Sequence, residues 1–243
     1  MVKIVGHRGA AGYAPENTLR SFETAIALGC DRAELDVHLS KDGEVIVIHD
    51  ADVSRLTDGK GKVKDMTRAE IKKLRCAEGQ RIPTLQEVID LCKNNISLQR
   101  ELKAEGVAEP VYRLIRKNNI EHNTVLISFD VKLLREIKKL GPKLPVGLLF
   151  DKAPRNLWKL AKEIPLEYIG PRYTAVTKKL VESAHAHGLS VYVYHVNEKK
   201  VGDRLTAFGV DELGTDFPKL FLSPGTTPSL ISPLEKVERS LGN

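Results

Sequence analysis

The sequence predicts a single (β/α)8 barrel with a hairpin return after the second strand and a short insertion. The length of 243 residues exceeds the commonest domain size but suits one barrel, and 42% hydrophobic residues allow a substantial core. Short apolar runs alternate with longer amphipathic runs along almost the whole chain. That alternation is typical of parallel strands joined by crossover helices. A strand-like run beyond the eight of a barrel is explained by an Asp-Gly turn, a strong hairpin signal.

The predicted strands are short, apolar and rich in β-branched residues. They cover residues 3–6, 33–37, 45–49, 96–103, 124–129, 146–150, 167–170, 190–194 and 210–215. Helices with a 3.6-residue period are predicted at 17–28, 84–93, 107–117, 131–140, 154–163, 176–187 and 197–208. We expect one domain over residues 1–243, in which the polar stretch 51–82 is a small insertion and 219–243 a C-terminal tail, closed by a short helix at 233–241.

The predicted hairpin has a chemical consequence. If Asp42 and Gly43 form the whole loop, His49 lies directly opposite Asp36 on the neighbouring strand. Opposed residues share a sheet face, with Cβ atoms about 4.5 to 5.5 Å apart. Glu34 lies two residues before Asp36 and shares that face. Local geometry therefore predicts a cluster of two carboxylates and one imidazole.

The formal net charge of +6 does not predict a polyanionic partner. The lysine pairs lie in separate amphipathic segments, each with a nearby glutamate, as on solvated helix faces. No basic stretch is interleaved with aromatic residues, so we expect no nucleic-acid binding.

The three cysteines lack a C-x-x-C spacing, which favours reduced thiols over a disulfide framework or a zinc site. No apolar run approaches the roughly 18 residues of a membrane-spanning helix, and the first twenty residues are too polar for a signal peptide. We therefore expect a cytoplasmic protein without stable membrane insertion. A homo-oligomer is left open.

Polar residues stand where the predicted strands end, which is where the active site of a parallel barrel lies. The ends carry His7, Arg8, Glu34, Asp36, His49, Glu101 and Lys103. Three carboxylates on neighbouring strands repel one another unless a cation joins them. Oxygen ligands favour Mg²⁺, Ca²⁺ or Mn²⁺ over zinc.

The remaining strand-end residues suit chemistry at a phosphate ester. His7 and His49 suit a general acid and a general base, because imidazole as a side-chain type titrates near the working pH. Arg8 offers a planar fork for phosphate, and Lys103 offers a point charge. With a metal, these groups predict hydrolysis or transfer at a phosphate ester.

A series of motifs lies in order from about residue 3 to residue 218. They are Gly6-His7-Arg8-Gly9, Pro15-Glu16-Asn17-Thr18, Glu34-Leu35-Asp36-Val37, Lys41-Asp42-Gly43 with His49-Asp50, Pro83-Thr84-Leu85, Glu101-Leu102-Lys103, Ser128-Phe129 and Gly209-Val210-Asp211 with Thr215-Asp216-Phe217-Pro218. Together they resemble the glycerophosphodiester phosphodiesterase family. The resemblance implies a TIM (β/α)8 barrel and metal-dependent cleavage of a small-molecule glycerophosphodiester to glycerol 3-phosphate and an alcohol.

The resemblance also implies roles by motif position. These are divalent-cation ligands at Glu34, Asp36 and Glu101, an acid-base pair at His7 and His49, phosphate contacts at Arg8 and Lys103, and pocket residues at Glu16, Asn17 and Tyr194. The family route is substrate-assisted: one histidine helps the glycerol 2-hydroxyl attack phosphorus, the other protonates the leaving alcohol, and water opens the cyclic phosphate. The sequence does not say which histidine does which.

The chain departs from the family pattern in three places. Arg100 follows Gln99 where Asn-Ile is usual, so a charge faces the helix layer and needs a partner or water. Tyr194-His195 replaces Trp-Thr, which leaves an aromatic wall but adds a hydroxyl and bears on headgroup preference. Glu212 and Gly214 occupy normally apolar or variable positions of the last strand, and the sequence offers no physical reason for Glu212.

Two alternative functions are open at this stage. A lysophospholipase D would use the same site on lysophospholipids, and it would need an apolar trough or lip, for which the segment 220–222 is the candidate. A catalytically silent phosphate-binding module is the other alternative, and the intact histidines and carboxylates argue against it.

Overall fold

The computed structural model describes residues 2–222, which form a closed barrel of eight parallel strands surrounded by helices. The barrel strands are β1 (Lys3–Gly6), β2 (Arg32–Leu39), β4 (Ser97–Leu102), β5 (Thr124–Ser128), β6 (Val146–Phe150), β7 (Tyr168–Pro171), β8 (Ser190–Val193) and β9 (Glu212–Thr215), and β3 (Val45–Val47) pairs antiparallel with β2. Parallel pairing of β9 with β1 and of β1 with β2 closes the barrel. The predicted fold class is confirmed. The predicted helix at 233–241 lies outside the described residues.

The helices lie between the strands, as the periodicity predicts. They are α1 (Leu19–Leu28), α2 (Arg68–Ile71), α3 (Leu85–Cys92), α4 (Ala108–Asn118), α5 (Val131–Leu140), α6 (Leu157–Glu163), α7 (Lys178–Ala186) and α8 (Lys199–Ala207). At the N-termini of several helices, a side chain accepts a hydrogen bond from a backbone N–H group that has no partner within the helix. Thr84 does so for α3, and its own N–H is bonded by Glu87 in a capping box. Within residues 2–222, none of these helices has the length and apolar character to cross a bilayer.

The hairpin after β2 has a different register from the predicted one. Asp36 lies opposite Ile48, whose N–H donates to the Asp36 carbonyl at 3.0 Å, and not opposite His49. The turn is the cause: three residues, 41–43, separate the strands instead of two, and Gly43 adopts a left-handed φ of 81°. Three-residue loops with a left-handed glycine are a common hairpin connection. A one-residue slip reverses the faces, so His49 reaches the site from the bend after β3 rather than from within the ladder.

The segment between β3 and α3 packs on the hairpin through its own small core. It contains α2 and 3-10 turns at Val53–Arg55, Val63–Asp65 and Ala77–Gly79. Ile46 and Ile48 of the hairpin region are buried with residues of the segment, including Val53 and Ile71. This apolar contact holds the segment against the hairpin that β3 forms with β2.

The bottom of the barrel explains Glu212, for which the sequence offered no reason. Glu212 on β9 is 1% exposed, and both its oxygens accept hydrogen bonds from Arg32 Nη1 on β2, at 2.7 and 2.9 Å. Arg32 also donates to the Tyr168 hydroxyl at 3.3 Å. Burial raises the pKa of Glu212, although the Arg32 charge opposes the rise. One nitrogen of Arg32 therefore holds both oxygens of a buried carboxylate and links the strands on either side of β1.

Arg100 faces the helix layer, as alternation predicts, but it has neither an acidic partner nor access to solvent. It is fully buried, its Nη1 donates to Thr124 Oγ1 at 2.9 Å, and its Nε and Nη2 make no hydrogen bond. Burial lowers its pKa to about 10. A buried guanidinium with this little compensation is destabilising.

We therefore expect Arg100→Met to raise the free energy of unfolding by about 1 to 3 kcal/mol in urea titrations, because a similar volume is kept and the charge is removed. Thr124 Oγ1 stays satisfied, since it also donates to the Ile120 carbonyl. Arg113→Met is the matched control, because the Arg113 side chain is 69% exposed and its change should be near zero. A loss of stability in Arg100→Met would contradict this interpretation.

Candidate active site

A cavity of about 240 Å³ opens at the carboxyl ends of the barrel strands. Seven of the predicted site residues line it: His7, Arg8, Glu34, His49, Glu101, Lys103 and Tyr194. Glu16 lines an adjoining cavity of about 260 Å³, together with His7 and Arg8. Asp36 and Asn17 are buried, and Asp36 contacts both Asn17 and Lys103 of the cavity lining. The structure therefore brings every predicted site residue to one end of the barrel.

The three predicted metal ligands form one cluster. Oxygens of Glu34, Asp36 and Glu101 all lie within 4.8 Å of one another, because β2 and β4 pair in a register that sets Asp36 beside Glu101. Burial and the neighbouring carboxylates raise the pKa of Glu34 well above its ordinary value and that of Glu101 to about 7. Buried carboxylates in mutual repulsion, with oxygen as the only donor type, fit a hard divalent cation such as Mg²⁺ or Ca²⁺.

Cationic and amide groups surround the cluster. Lys103 Nζ lies 3.2 Å from Asp36 Oδ1 and 2.8 Å from Glu101 Oε1, and Arg8 Nε lies 3.4 Å from Asp36 Oδ2. Burial favours the neutral form of Asp36, but the charges of Lys103 and Arg8 outweigh it and lower the pKa. Asn17, at a left-handed φ of 55°, donates to Asp36 Oδ2 at 2.9 Å. This backbone conformation costs about 1 kcal/mol or more, and the bond to Asp36 helps to compensate it.

Both predicted histidines are held by an aspartate. His7 Nδ1 lies 2.6 Å from Asp216 Oδ1, and His49 Nδ1 lies 2.6 Å from Asp50 Oδ1. Hydrogen bonds from Arg55 and His49 lower the pKa of Asp50 to about 2. Burial opposes ionisation of Asp216, but its bonds to His7 and a neighbouring amide also bring its pKa to about 2. Because ionised carboxylates only accept, each Nδ1 carries the proton, and each Nε2 is left to exchange a proton with a ligand.

The sequence did not predict three of the groups in this site. Asp216 stood in a quoted motif without a role, and its place opposite His7 depends on barrel closure. Arg55 lies in the predicted insertion and bonds to side chains of the site. The His195 ring lies 3.7 Å from the His7 ring, centroid to centroid, and burial together with the His7 charge lowers the His195 pKa to about 3. The substitution at the end of β8 was the available signal for His195.

The fold and these contacts define a class of enzyme, one that works on phosphate esters. A phosphate anion is matched by Arg8 and Lys103, and a pair of aspartate-held imidazoles can move protons to and from ester oxygens. In a parallel barrel, such groups act at the end where this cavity opens.

Comparison with known proteins gives a family for this chain. The model of the Glycerophosphoryl diester phosphodiesterase family matches residues 7–220. A glycerophosphodiester phosphodiesterase of Caldanaerobacter subterraneus subsp. tengcongensis is 36% identical over 233 residues, covering 90% of this chain and 96% of the relative. A human lysophospholipase D is 25% identical over 263 residues, covering 89% of this chain and 83% of the relative.

A solved structure extends the comparison. An Oleispira antarctica phosphodiesterase in complex with the product sn-glycerol-3-phosphate has a TM-score of 0.83 and 27% identity, and it covers 89% of this chain and 94% of that chain. The chain belongs to the glycerophosphoryl diester phosphodiesterase family. The resemblance drawn from the motifs is confirmed, and with it the prediction that the chain is a phosphodiesterase enzyme.

Proposed function

We propose that the protein hydrolyses glycerophosphodiesters to glycerol 3-phosphate and an alcohol, with a divalent cation held by Glu34, Asp36 and Glu101. The observation that carries the proposal is the presence of two histidine–aspartate pairs, each joined at 2.6 Å, beside one buried carboxylate cluster. The Oleispira antarctica relative binds the product that this reaction would release. We expect turnover of glycerophosphocholine by the purified protein when Mg²⁺ or Ca²⁺ is supplied.

Separate side chains of the cavity bind the phosphate and hold the groups that bind it. Arg8 and Lys103 contact the phosphate, and both stay charged because neighbouring carboxylates raise the pKa of each against the effect of burial. Glu16 holds Arg8 through a bond of 2.6 Å, and Asn17 holds Asp36. A bound divalent cation would neutralise the carboxylates and draw charge from the phosphate oxygens. Tyr194 forms part of the wall beyond the phosphate.

The two histidines transfer the protons of a substrate-assisted reaction. One Nε2 takes the proton of the glycerol 2-hydroxyl as that oxygen attacks phosphorus, and the other Nε2 gives a proton to the alcohol oxygen as its bond to phosphorus breaks. Water then opens the cyclic phosphate, with the proton transfers reversed. Asp216 and Asp50 keep each ring oriented and stabilise it when it is protonated. Either histidine suits either role.

We take residues 1–243 as one catalytic domain, with 51–82 as an insertion and 219–243 as a tail, acting in the cytoplasm on a small-molecule substrate and not on nucleic acid. The scattered surface charge supports the last point, because the lysine pairs lie in separate helical segments and form no continuous basic patch in the sequence.

A second candidate function, hydrolysis of lysophospholipids, is favoured by the rim of the site. Large apolar side chains that are exposed in residues 2–222 are Tyr13, Phe129, Phe217 and Leu220. Phe129 lines the main cavity and Phe217 lines the adjoining one. The predicted lip at 220–222 is only partly present, because Phe221 and Leu222 pack against the core. The human lysophospholipase D relative supports this candidate as well.

Rates on glycerophosphocholine and lysophosphatidylcholine separate the two functions. We expect glycerophosphocholine to be hydrolysed faster, by about tenfold or more, because isolated aromatic side chains do not bury an acyl chain as a trough would. Phe129→Ser tests the rim, and it should lower only the rate on lysophosphatidylcholine. A faster rate on lysophosphatidylcholine that falls in Phe129→Ser would make the second candidate the main function.

A further inference from the structure

Arg55 connects two parts of the site that no other described side chain joins. Its Nε donates to Asp50 Oδ2, and its Nη1 and Nη2 donate to Glu16 Oε2 and Oε1 at 3.0 and 2.8 Å. Asp50 holds His49 at 2.6 Å, and Glu16 holds Arg8 at 2.6 Å. One guanidinium therefore stands between a histidine of the acid-base pair and the arginine that faces the phosphate.

The fold supplies Arg55 in a fixed place. It ends the 3-10 turn Val53–Arg55, whose first N–H groups are capped by Asp52 through the N–H of Ser54, at 2.9 Å. Val53 is fully buried against Ile48 and the other residues of the small core. The backbone that carries Arg55 is therefore anchored, although its side chain is 47% exposed.

We propose that Arg55 is a positioning residue that sets the orientation of His49 through Asp50 and of Arg8 through Glu16. The inference rests on the proposed function, in which His49 exchanges protons and Arg8 binds phosphate. A planar guanidinium has donors on two edges, so it can bond to two carboxylates at once with fixed geometry. Asp50 and Glu16 lie on separate loops, and in the described residues no other side chain bonds to both of them.

The two halves of the role have separate kinetic readouts. Loss of the Asp50 contact frees the His49 ring and lowers kcat, whereas loss of the Glu16 contact frees Arg8 and raises KM. We expect Arg55→Ala to lower kcat about 10- to 100-fold, the usual cost of removing a residue that orients a working group, and to raise KM as well. Arg55→Lys should recover part of one effect, because an ammonium on a flexible stem cannot bridge both carboxylates.

The experiment uses the full chain with these controls. Arg75→Ala removes an exposed arginine of the same segment and should leave kcat, KM and the urea midpoint unchanged. In a double-mutant cycle, Arg55→Ala should add little to the kcat loss of Asp50→Asn and little to the KM rise of Glu16→Gln. Additive losses in both cycles, or wild-type kinetics in Arg55→Ala, would overturn the proposal.

A second measurement does not depend on turnover. Nitrogen-15 NMR of the His49 ring should show the proton on Nδ1 in the wild-type protein and a mixture of the two tautomers in Arg55→Ala. The urea midpoint of Arg55→Ala should equal that of the control variant Arg75→Ala. An unchanged ring spectrum in Arg55→Ala overturns the positioning role, even if no glycerophosphodiester is hydrolysed. Absence of turnover in the wild-type protein together with the expected change in the ring would reject the proposed function and keep the orientation of His49 by Arg55.

Discussion

Glu34→Gln abolishes hydrolysis of glycerophosphocholine and raises the stability of the metal-free protein: this is the expected result for a carboxylate that holds a cation. The amide keeps an oxygen that can accept the 2.9 Å hydrogen bond from the Arg8 backbone N–H, so the fold is preserved. It removes one negative charge from a cluster whose members lie within 4.8 Å of one another. We expect activity to be lost because the remaining oxygens would bind the proposed cation too weakly.

The gain in stability has a defined pH dependence. The folded state raises the pKa of Glu34, so between its ordinary value and the raised one the folded protein holds more protons than the unfolded chain. The stability of the wild-type protein without metal therefore falls as pH rises through that interval, and Glu34→Gln removes this contribution to the fall. Urea midpoints over a pH series, measured with EDTA, test the result.

The control for Glu34→Gln is Glu23→Gln, which alters an exposed carboxylate on α1 and should change neither property. Excess EDTA should abolish wild-type turnover, and added Mg²⁺ or Ca²⁺ should restore it. Full activity in Glu34→Gln, or in the presence of EDTA, would remove the cation from the proposed function.

The second large effect concerns the histidines. His7→Ala and His49→Ala should each lower kcat about 10² to 10⁴-fold, the usual range for a general acid or base, with little change in the urea midpoint. His122→Ala, an exposed histidine in a 3-10 turn, should leave the rate unchanged. The double variant should lose less than the product of the single losses, because the two rings act in one reaction. A wild-type rate in either variant would exclude that histidine from the acid-base pair.

Contacts that follow from strand alternation were predictable from the sequence. The placement of Asp36 and Glu101 at the ends of neighbouring strands and the facing of Arg100 toward the helices follow from the period of two and the order of parallel strands, whereas the register that sets Asp36 beside Glu101 comes from the structure. The hairpin register was not predictable from the Asp-Gly pair alone, because two-residue and three-residue loops with glycine are both common. His49 nevertheless lies near the carboxylates, as predicted. The bend after β3, and not the predicted pairing with Asp36, brings its ring to the cavity.

Other parts of the site depend on contacts that no local pattern encodes. Glu212 meets Arg32 only because β9 closes on β1 beside β2, and the two residues are 180 positions apart. Arg55 lies in a stretch that is polar in composition, and the sequence gives no sign that it bonds to both Glu16 and Asp50. The proximity of His195 to His7 likewise depends on barrel closure. Sequence patterns give faces and order, but side-chain partners across the barrel require the tertiary structure.

The contact between His7 and Asp216 also bears on how the enzyme gains its activity during folding. The two residues are 209 positions apart, at the first and last strands of the barrel, so their bond forms only after β9 has paired with β1. Contacts of such sequence separation are slow to form. A nascent chain that still lacks β9 has His7 without its aspartate, and the acid-base pair that we propose is incomplete. We therefore expect turnover to begin only when the two ends of the barrel meet, and partly synthesised chains to be inactive toward phosphodiesters.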